Sequence, residues 1–248
     1  MFWRKQRAAI EEFHPLHRTL VLEKGFSVSL PRDQWEPVIR SFAGHEAAVK
    51  RRRWRITPRT SGVLVPMLRV LAADMPPEGV LSVALDMRGA GVPEKRGPER
   101  PVQVSRPILS MKEWFVVDPW LRMRAELRDG SVVELAVTDR VRHRKYKKRN
   151  PRGKIKYKHK TKTVQMVSVT RRLGKGAAPR PPGTPPPRWI QVRVKDGNRF
   201  VIRANAKLLG PLQDDELRER ILHVSTEPFR WTPAGTAGSA GAAGRSAR

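Results

Sequence analysis

The sequence has no cysteine, and no apolar run in it is long enough to cross a membrane. Without cysteine, the 248-residue chain has no disulfides, cysteine-ligated zinc sites, iron–sulfur clusters or thiol catalysis. A membrane-spanning helix needs about 20 consecutive apolar residues, and charges or prolines interrupt the sequence well before that length. The first residues, MFWRKQR, lack the apolar segment of a secretory signal. We therefore expect no transmembrane segment and a cytoplasmic location.

Acidic residues are also scarce. Only 23 Asp and Glu accompany 51 Lys and Arg, which gives a formal net charge of +28. Such a chain attracts polyanions, most often nucleic acid, with an acidic protein or an anionic membrane surface as the alternatives. Hydrophobic residues make up 39% of the chain, enough to exclude wholesale disorder. Arginine outnumbers lysine 35 to 16, a bias typical of high-GC, bacterial coding sequences.

Catalytic motifs are missing as well. The chain contains no H-E-x-x-H, no G-x-S-x-G, no P-loop and no G-x-G-x-x-G that opens a helix. Metal binding by His14 and His17 would need further ligands, for which Glu11 and Glu12 are nearby, and the pair is interpreted instead as part of a surface loop. Asp118 and Asp139 are the best candidates for a metal-dependent nuclease, which is the weakest of the functional hypotheses. We therefore expect a noncatalytic protein with no cofactor.

Alternation of apolar and polar residues predicts antiparallel strands in the second half of the chain. Residues 121–127 and 133–137 alternate on either side of Asp129-Gly130, which predicts a hairpin with a type I′ turn. The return strand continues towards Lys148, turns at 150–153 and comes back through 164–170, so three strands form a meander.

A further hairpin and a helix follow this meander. Residues 190–194 and 200–204 alternate around an Asp-Gly turn, and 214–223 has the spacing of a short amphipathic helix. In the first half, residues 79–87, 102–104 and 114–117 are strand candidates. Residues 63–72 fit either a helix or a strand.

The N-terminal segment carries two further predictions. The apolar runs 19–22 and 26–30, separated by a short polar segment, predict a hairpin in which Gly25 adopts positive φ. Residues 33–50 predict a helix that Asp33 caps. Its inward face is formed by Trp35, Val38, Ile39 and Phe42.

These elements predict an α+β fold, mainly antiparallel β-sheet, with a long basic hairpin or meander and a few short helices. A mixed N-terminal part, 1–110, packs with or precedes a β-meander part, 111–231. The second part includes the basic ribbon, 140–175, and a proline-rich loop, 176–188. The Ala/Gly/Ser-rich residues 232–248 are expected to be a disordered tail.

The basic ribbon carries the functional hypothesis. Residues 140–195 contain 20 Lys and Arg and no acid. Lysine occupies every second position from 154 to 162, which in a strand places these side chains on one face, roughly 6.6 Å apart. Phosphates along a nucleic-acid strand have a similar spacing. Because like charges on one face repel, a bound anion would relieve the repulsion.

Lysine dominates the ribbon in a chain that otherwise prefers arginine. An ammonium group is a point charge that suits sequence-independent phosphate contact better than the reading of base edges. The interleaved aromatic residues Tyr146, Tyr157, His143 and His159 either stack on bases or pack within the protein. The predicted nucleic-acid-binding residues are Arg142, Arg144, Lys145, Tyr146, Lys147, Lys148, Arg149, Arg152, Lys154, Lys156, Tyr157, Lys158, Lys160, Lys162, Arg171 and Arg172.

Three alternatives to nucleic-acid binding stay open for the ribbon. Lysines on an edge strand protect against sheet-to-sheet aggregation, although this accounts for only one or two of them. The segment also fits a solvated or disordered basic arm, or a structural protein that docks an acidic partner within an assembly.

Residues 51–55, Arg-Arg-Arg-Trp-Arg, form a second basic cluster. They are predicted to begin a strand, and the cluster would extend the ribbon surface if it folds nearby. The alternative is a solvated helix end followed by a tryptophan of the core.

Overall fold

An eight-stranded antiparallel sheet organises the chain. The structure, a computed structural model, describes residues 2–232, with side chains from residue 5; the predicted tail lies outside this range from residue 233 onward. The strands are β1 (Gly25–Pro31), β2 (Val80–Asp86), β3 (Arg100–Val102), β4 (Ile108–Glu126), β5 (Val132–Arg149), β6 (Ile155–Arg172), β7 (Ile190–Lys195) and β8 (Val201–Leu209). They are ordered β1-β2-β4-β5-β6-β8-β7, with β3 paired to β4.

Short helices accompany the sheet. They are α1 (Phe2–Glu11), α2 (Pro15–Glu23), α3 (Trp35–Ala43), α4 (His45–Ala48), α5 (Val65–Asp74) and α6 (Asp214–Thr226). The predicted α+β class with a mainly antiparallel sheet is confirmed. Among residues 2–232, no helix combines the length and apolar character needed to cross a bilayer.

The helices cover one face of the sheet. Met123 of β4 and Leu135 of β5 are buried in one hydrophobic core with Trp35 of α3, Leu68 of α5 and Leu217 of α6. Because side chains alternate along a strand, the same strands turn their other side chains away from the helices. We call that uncovered side of the sheet the open face.

The predicted boundary at residue 110 divides a continuous sheet. β4 begins at Ile108 and pairs with β2, and the hydrophobic core contains residues from both sides of that boundary. The division into two parts stays a prediction, and the sheet runs across it without interruption.

The predicted hairpin at 19–30 is wrong, because its first half is the helix α2. His14 caps this helix by accepting a hydrogen bond from Leu16 N, and Pro15 occupies the first turn, where its missing N–H costs nothing. Leu20 and Val21 are buried at helical spacing, three and four residues after the buried His17. The run of three consecutive apolar residues, Leu20 to Leu22, hides this helical spacing in the sequence.

Glycine is needed at position 25 because the backbone of β2 lies close to it, and not because the chain adopts positive φ there. Lys24 ends α2 in the left-handed region, with φ of 62°, and Gly25 begins β1 opposite Asp86. A methyl group on Gly25 would lie 2.6 Å from the carbonyl oxygen of Leu85. The neighbouring strand backbone therefore leaves room only for hydrogen at this position.

We expect Gly25→Ala to lower the free energy of unfolding by about 1–3 kcal/mol, because β1 and β2 must separate to admit the methyl group. Urea denaturation measures this change. Gly91→Ala is the matched control, since no atom lies within 4 Å of the added methyl group there. Equal stability of the two variants would contradict the steric role of Gly25.

The predicted helix at 33–50 is confirmed in its buried face and corrected in its bounds. Its four predicted apolar residues are all buried in α3. Asp33 lies in a preceding 3₁₀ turn, where its carboxylate accepts from Gln34 N, so it does not cap α3. Gly44 separates α3 from α4. The ambiguous segment 63–72 is helical, with a π-helical turn (Thr60–Leu64) followed by α5.

The turn at Asp129-Gly130 is not of type I′. Only Gly130 has positive φ, 72°, whereas a type I′ turn needs positive φ at both central residues. Leu127 N donates to the Ser131 carbonyl oxygen, which closes a three-residue loop. Asp129 instead accepts hydrogen bonds from the backbone N–H and the hydroxyl of Ser131.

A buried histidine pair joins α2 to α4, which corrects the interpretation of His14 and His17 as a surface loop. Ile56 N donates to His45 Nε2 at 3.3 Å, so His45 carries its proton on Nδ1 and donates to His17 Nε2 at 2.9 Å. His17 Nδ1 then donates to Ser41 Oγ at 2.8 Å. Burial lowers the pKa of His17 to about 3, and also lowers the pKa of His45.

This pair predicts a loss of stability in mild acid. The unfolded chain takes up a proton at each histidine near pH 6.5, whereas folded His17 stays neutral until about pH 3. The stabilisation from His17 is therefore present above pH 6.5 and is lost as the pH falls, by up to about 1.4 kcal/mol per pH unit. His17→Gln should reduce this slope between about pH 6.5 and 5, as measured by urea denaturation. His223→Gln removes an exposed histidine of α6 and should retain the slope. An unchanged slope in His17→Gln would contradict the assignment.

Candidate nucleic-acid interface

Three long strands extend beyond the rest of the sheet. β2 pairs with β4 only as far as Leu85 and Leu121, and β8 pairs with β6 only from Val164 onward. Beyond these points β4, β5 and β6 continue together towards the turn at residues 150–153. We call this projection the ribbon: residues 108–118, 139–149 and 155–165. At about 3.3 Å per residue it is roughly 33 Å long.

The tip turn forms as the sequence predicts. Asn150 N donates to the Lys154 carbonyl oxygen, and the Asn150 side chain accepts from Lys154 N. Gly153 supplies positive φ, 79°. Lys154 therefore belongs to the turn, and Arg152 lies beside it. The predicted row of five lysines on one face is reduced to the four that lie within β6.

Strand register places these four lysines on the open face. Directly paired residues of antiparallel strands share a face. The pairs that form this face are Arg142↔Lys162, Arg144↔Lys160, Tyr146↔Lys158 and Lys148↔Lys156. The register thus brings together two rows of cations that the sequence placed only on neighbouring strands.

Little negative charge accompanies these rows. Glu113 of β4 lies opposite Arg144, accepts from its Nε at 2.5 Å, and has Oε2 3.7 Å from Arg142 Nε. Among residues 5–232, no carboxylate lies within 4 Å of the four β6 lysine ammonium groups. All four lysines are exposed. Their charge is therefore offset mainly by solvent and salt.

The outer edge of the ribbon is also unpaired. Residues 155–163 of β6 have β5 on one side and no strand on the other within the part of the chain that the structure describes. Lysine at alternate positions is one way in which proteins protect such an edge from pairing with another sheet. This role and anion binding are compatible, since the same side chains serve both.

The remaining predicted residues occupy other places. Lys145, Lys147 and Arg149 lie on the opposite side of the ribbon, with Tyr157, whose exposed fraction is 78%. Arg172 lies at the far end of β6, where its Nη2 is 3.6 Å from Glu134 Oε1. The predicted set therefore divides between the two sides of the ribbon.

Arg171 is the clearest departure from the predicted site. It is buried, and its guanidinium donates to Asp129, Ser131 and Thr232. This arginine joins the C-terminal segment to the β4–β5 turn and is not available to a ligand. Arg171 lies on the same face of β6 as the buried Val167 and Val169, whereas Arg172 lies on the open face, so the alternation along the strand separates the two arginines.

An aromatic stack lies on the side of the ribbon that faces away from the four lysines. Trp114 and His143 stack with centroids 4.9 Å apart, and His143 Nδ1 lies 3.1 Å from His159 Nε2. Arg96 lies over Trp114. Burial and the neighbouring His159 lower the pKa of His143. Both histidines are therefore engaged within the protein.

The two tyrosines of the ribbon differ in exposure. Tyr146 is half-buried on the open face, where Lys160 lies over its ring. Tyr157 is exposed on the opposite side. Tyr157 is thus the more accessible ring of the two, and it does not lie among the four β6 lysines.

The two acids considered for a nuclease lie at the base of the ribbon. Asp118 and Asp139 are cross-strand neighbours and both are buried. Lys95 Nζ lies 2.6 Å from Asp118 Oδ1 and 2.9 Å from Asp86 Oδ2, and burial is the main cause that raises the pKa of Asp118.

Asp139 has its own set of partners. Arg59 Nη1 lies 2.9 Å from its Oδ2, and Trp120 Nε1 and Gln165 Nε2 each donate to its Oδ1 at 3.3 Å. Within residues 5–232 no group of three or more His, Cys, Asp or Glu side chains is placed to hold a metal ion. These acids anchor loops to the ribbon base. No sequence signal marks Arg59 and Lys95, because neither lies in a motif.

The second basic cluster lies among the N-terminal helices. Residues 52–54 form a 3₁₀ turn, so the strand predicted to begin there is wrong. Trp54 packs partly buried against the small cluster of Ile10, Val21 and Val49. An open groove of about 450 Å³ next to it is lined by Arg7, Arg18, Arg51 and Arg53, among others.

Comparisons with known proteins add no assignment: no protein-family model, curated protein or solved structure matches the chain. What the ribbon binds must therefore be inferred from its own charge, shape and exposure.

Proposed function

We propose that this is a noncatalytic nucleic-acid-binding protein whose ribbon contacts the backbone of RNA or DNA, in the cytoplasm of a bacterium and within a ribonucleoprotein or another large assembly. The supporting observation is the double row of cations on the open face of the ribbon. Glu113 is the acidic residue that lies among these cations, paired with Arg144.

The chemistry of the rows favours phosphate over base edges. Lysine ammonium groups donate in any direction and release condensed counterions when they meet phosphates. The four lysines on β6 are spaced roughly 6.6 Å apart along the strand, so they can follow the phosphates of a nucleic-acid backbone. No groove between these side chains is needed, since phosphate contacts position a protein without reading sequence.

Docking of an acidic protein surface is the second candidate. The unpaired edge of β6 favours it, because a strand of a partner can add to such an edge. Lysines at alternate positions would then meet carboxylates on the added strand. The two candidate functions predict that different polyanions compete best for the ribbon, so one competition experiment separates them.

The test uses protein treated with nuclease and freed of copurifying polymer. Fluorescence anisotropy should measure its binding to labelled single- and double-stranded RNA and DNA across about 50–300 mM salt. If about four to eight phosphates are contacted, log K should fall against log salt with a slope of roughly −4 to −7.

Two controls make this test specific. An unrelated domain of similar net charge measures nonspecific attraction, and polyglutamate is added as a competitor. Binding no tighter than that of the unrelated domain would contradict the proposal. Polyglutamate that displaces nucleic acid at equal charge concentration would favour the acidic-protein candidate.

A further inference from the structure

The cations of the ribbon do not end at its base. The same register continues along the open face into the main sheet, through Thr138↔Met166 and Met166↔Lys207 to Thr170↔Arg203 and Arg193↔Arg203. The hydrophobic core lies on the other side of these strands. The ribbon face and the open face of the sheet are therefore one uninterrupted surface.

The main-sheet part of this surface is also basic. Glu126 and Glu134 are acids on its strands, and Glu134 Oε1 lies 3.6 Å from both Arg124 Nη1 and Arg172 Nη2. Asp86, at the end of β2, is paired with cations of its own. The cations of the main-sheet part are Arg122, Arg124, Arg172, Arg193, Lys195, Arg203 and Lys207. All seven are exposed.

Small side chains separate some of these cations. Ala84 of β2 lies opposite Arg122, and Ser82 lies opposite Arg124 in the next row of the same face. A shallow hollow of about 300 Å³ lies over these residues, with the two arginines among its lining. Because the neighbouring side chains are short, the guanidinium groups of these arginines project above them. A nucleic-acid backbone can therefore approach the guanidinium groups.

The size of the surface suits a broad ligand. β6 alone extends roughly 53 Å from Lys156 to Arg172, and seven strands at about 4.8 Å span roughly 29 Å. A double helix offers one phosphate per strand for each 3.4 Å or so, hence about 15 base pairs over this length.

Aromatic side chains are nearly missing from this surface. Among the strands that the structure describes, Phe115 and Tyr146 are its aromatic residues, and Arg140 covers Phe115 at 4.1 Å. Proteins that bind single strands stack unpaired bases on exposed rings, whereas duplex binders need only phosphate contacts. The most exposed ring of the ribbon, Tyr157, lies on the opposite side.

We propose that the open face and the ribbon together bind a nucleic-acid double helix through its phosphates, in preference to a single strand. This inference rests on the proposed function and adds the form of the ligand and the extent of the site. The main-sheet cations contact the same duplex as the ribbon lysines.

The experiment compares a DNA duplex of about 20 base pairs with each of its separated strands at about 150 mM salt. The variant is Arg193→Gln/Arg203→Gln/Lys207→Gln on the full chain. Its matched control removes equal charge elsewhere, with Arg18→Gln/Arg51→Gln/Arg53→Gln. We expect the duplex to bind at least about tenfold more tightly than either strand, and the open-face variant to reduce the salt slope by about 2.7.

The outcomes distinguish this inference from the function on which it rests. Single strands that bind as tightly as the duplex, or an open-face variant that binds like its control, would overturn the inference. In that case the proposed function stands if a variant of the ribbon lysines still loses affinity. Failure of the unmutated protein to bind any nucleic acid would overturn both.

Discussion

Replacing Lys156, Lys158, Lys160 and Lys162 together with glutamine should weaken nucleic-acid binding by roughly 10²–10³-fold at about 0.1 M salt. Each phosphate contact contributes about 0.9 to the slope of log K against log salt, so the loss of four should reduce the slope by about 3.6. The side chains are exposed and lack carboxylate partners within residues 5–232, so the protein should keep its melting temperature. Anisotropy titrations at several salt concentrations measure both the affinity and the slope.

Two control variants locate the effect. Arginine at the same four positions keeps the charge and should retain most of the affinity. Glutamine at Lys5, Arg18, Lys50 and Lys175, which are exposed and lie outside the ribbon, removes equal charge and should cost much less. If this second variant binds as weakly as the first, net charge alone is responsible and the ribbon has no special role.

Asp139→Ala should lower the free energy of unfolding by about 2–4 kcal/mol, because it removes the nearer of the two carboxylates that pair with the partly buried Arg59 and leaves only Asp214, at 3.7 Å. Trp120 and Gln165 lose an acceptor at the same time. For a domain of this size the melting temperature should fall by about 4–16 °C. Differential scanning calorimetry measures the change.

Glu216→Ala removes an exposed acid of α6 and serves as the control, with an expected change of less than about 0.5 kcal/mol. The same variants test the nuclease alternative. Magnesium-dependent cleavage that disappears in a still-folded Asp139→Ala protein would contradict a purely structural role for this acid.

Helices and strands whose apolar residues recur at a clear spacing were predictable from the sequence. Alternation located β4, β5 and β6 because one face of each strand is buried, and α6 appears where Leu217 and Ile221 recur at helical spacing. α2 was missed because three apolar residues in a row, Leu20 to Leu22, fit a strand as well as a helix. Its capping by His14 is visible only once the helix is formed.

The candidate site was predictable in composition but not in arrangement. Alternate lysines indicated a common face, but the residues of β5 that share this face with them follow from the β5–β6 register, which depends on contacts between the strands. Burial of Arg171 depends on Asp129 and Thr232, which are distant in sequence. Contacts of this kind have no local signature.

The most direct test of the interface is chemical labelling of lysines in the unmutated protein, with and without a bound duplex. Acetylation followed by mass spectrometry reports the reactivity of each ammonium group. Binding through the ribbon predicts strong protection of Lys156, Lys158, Lys160 and Lys162, with Lys50 and Lys175 labelled equally in both states. Equal labelling of the four β6 lysines in the free and bound protein would contradict binding through the ribbon.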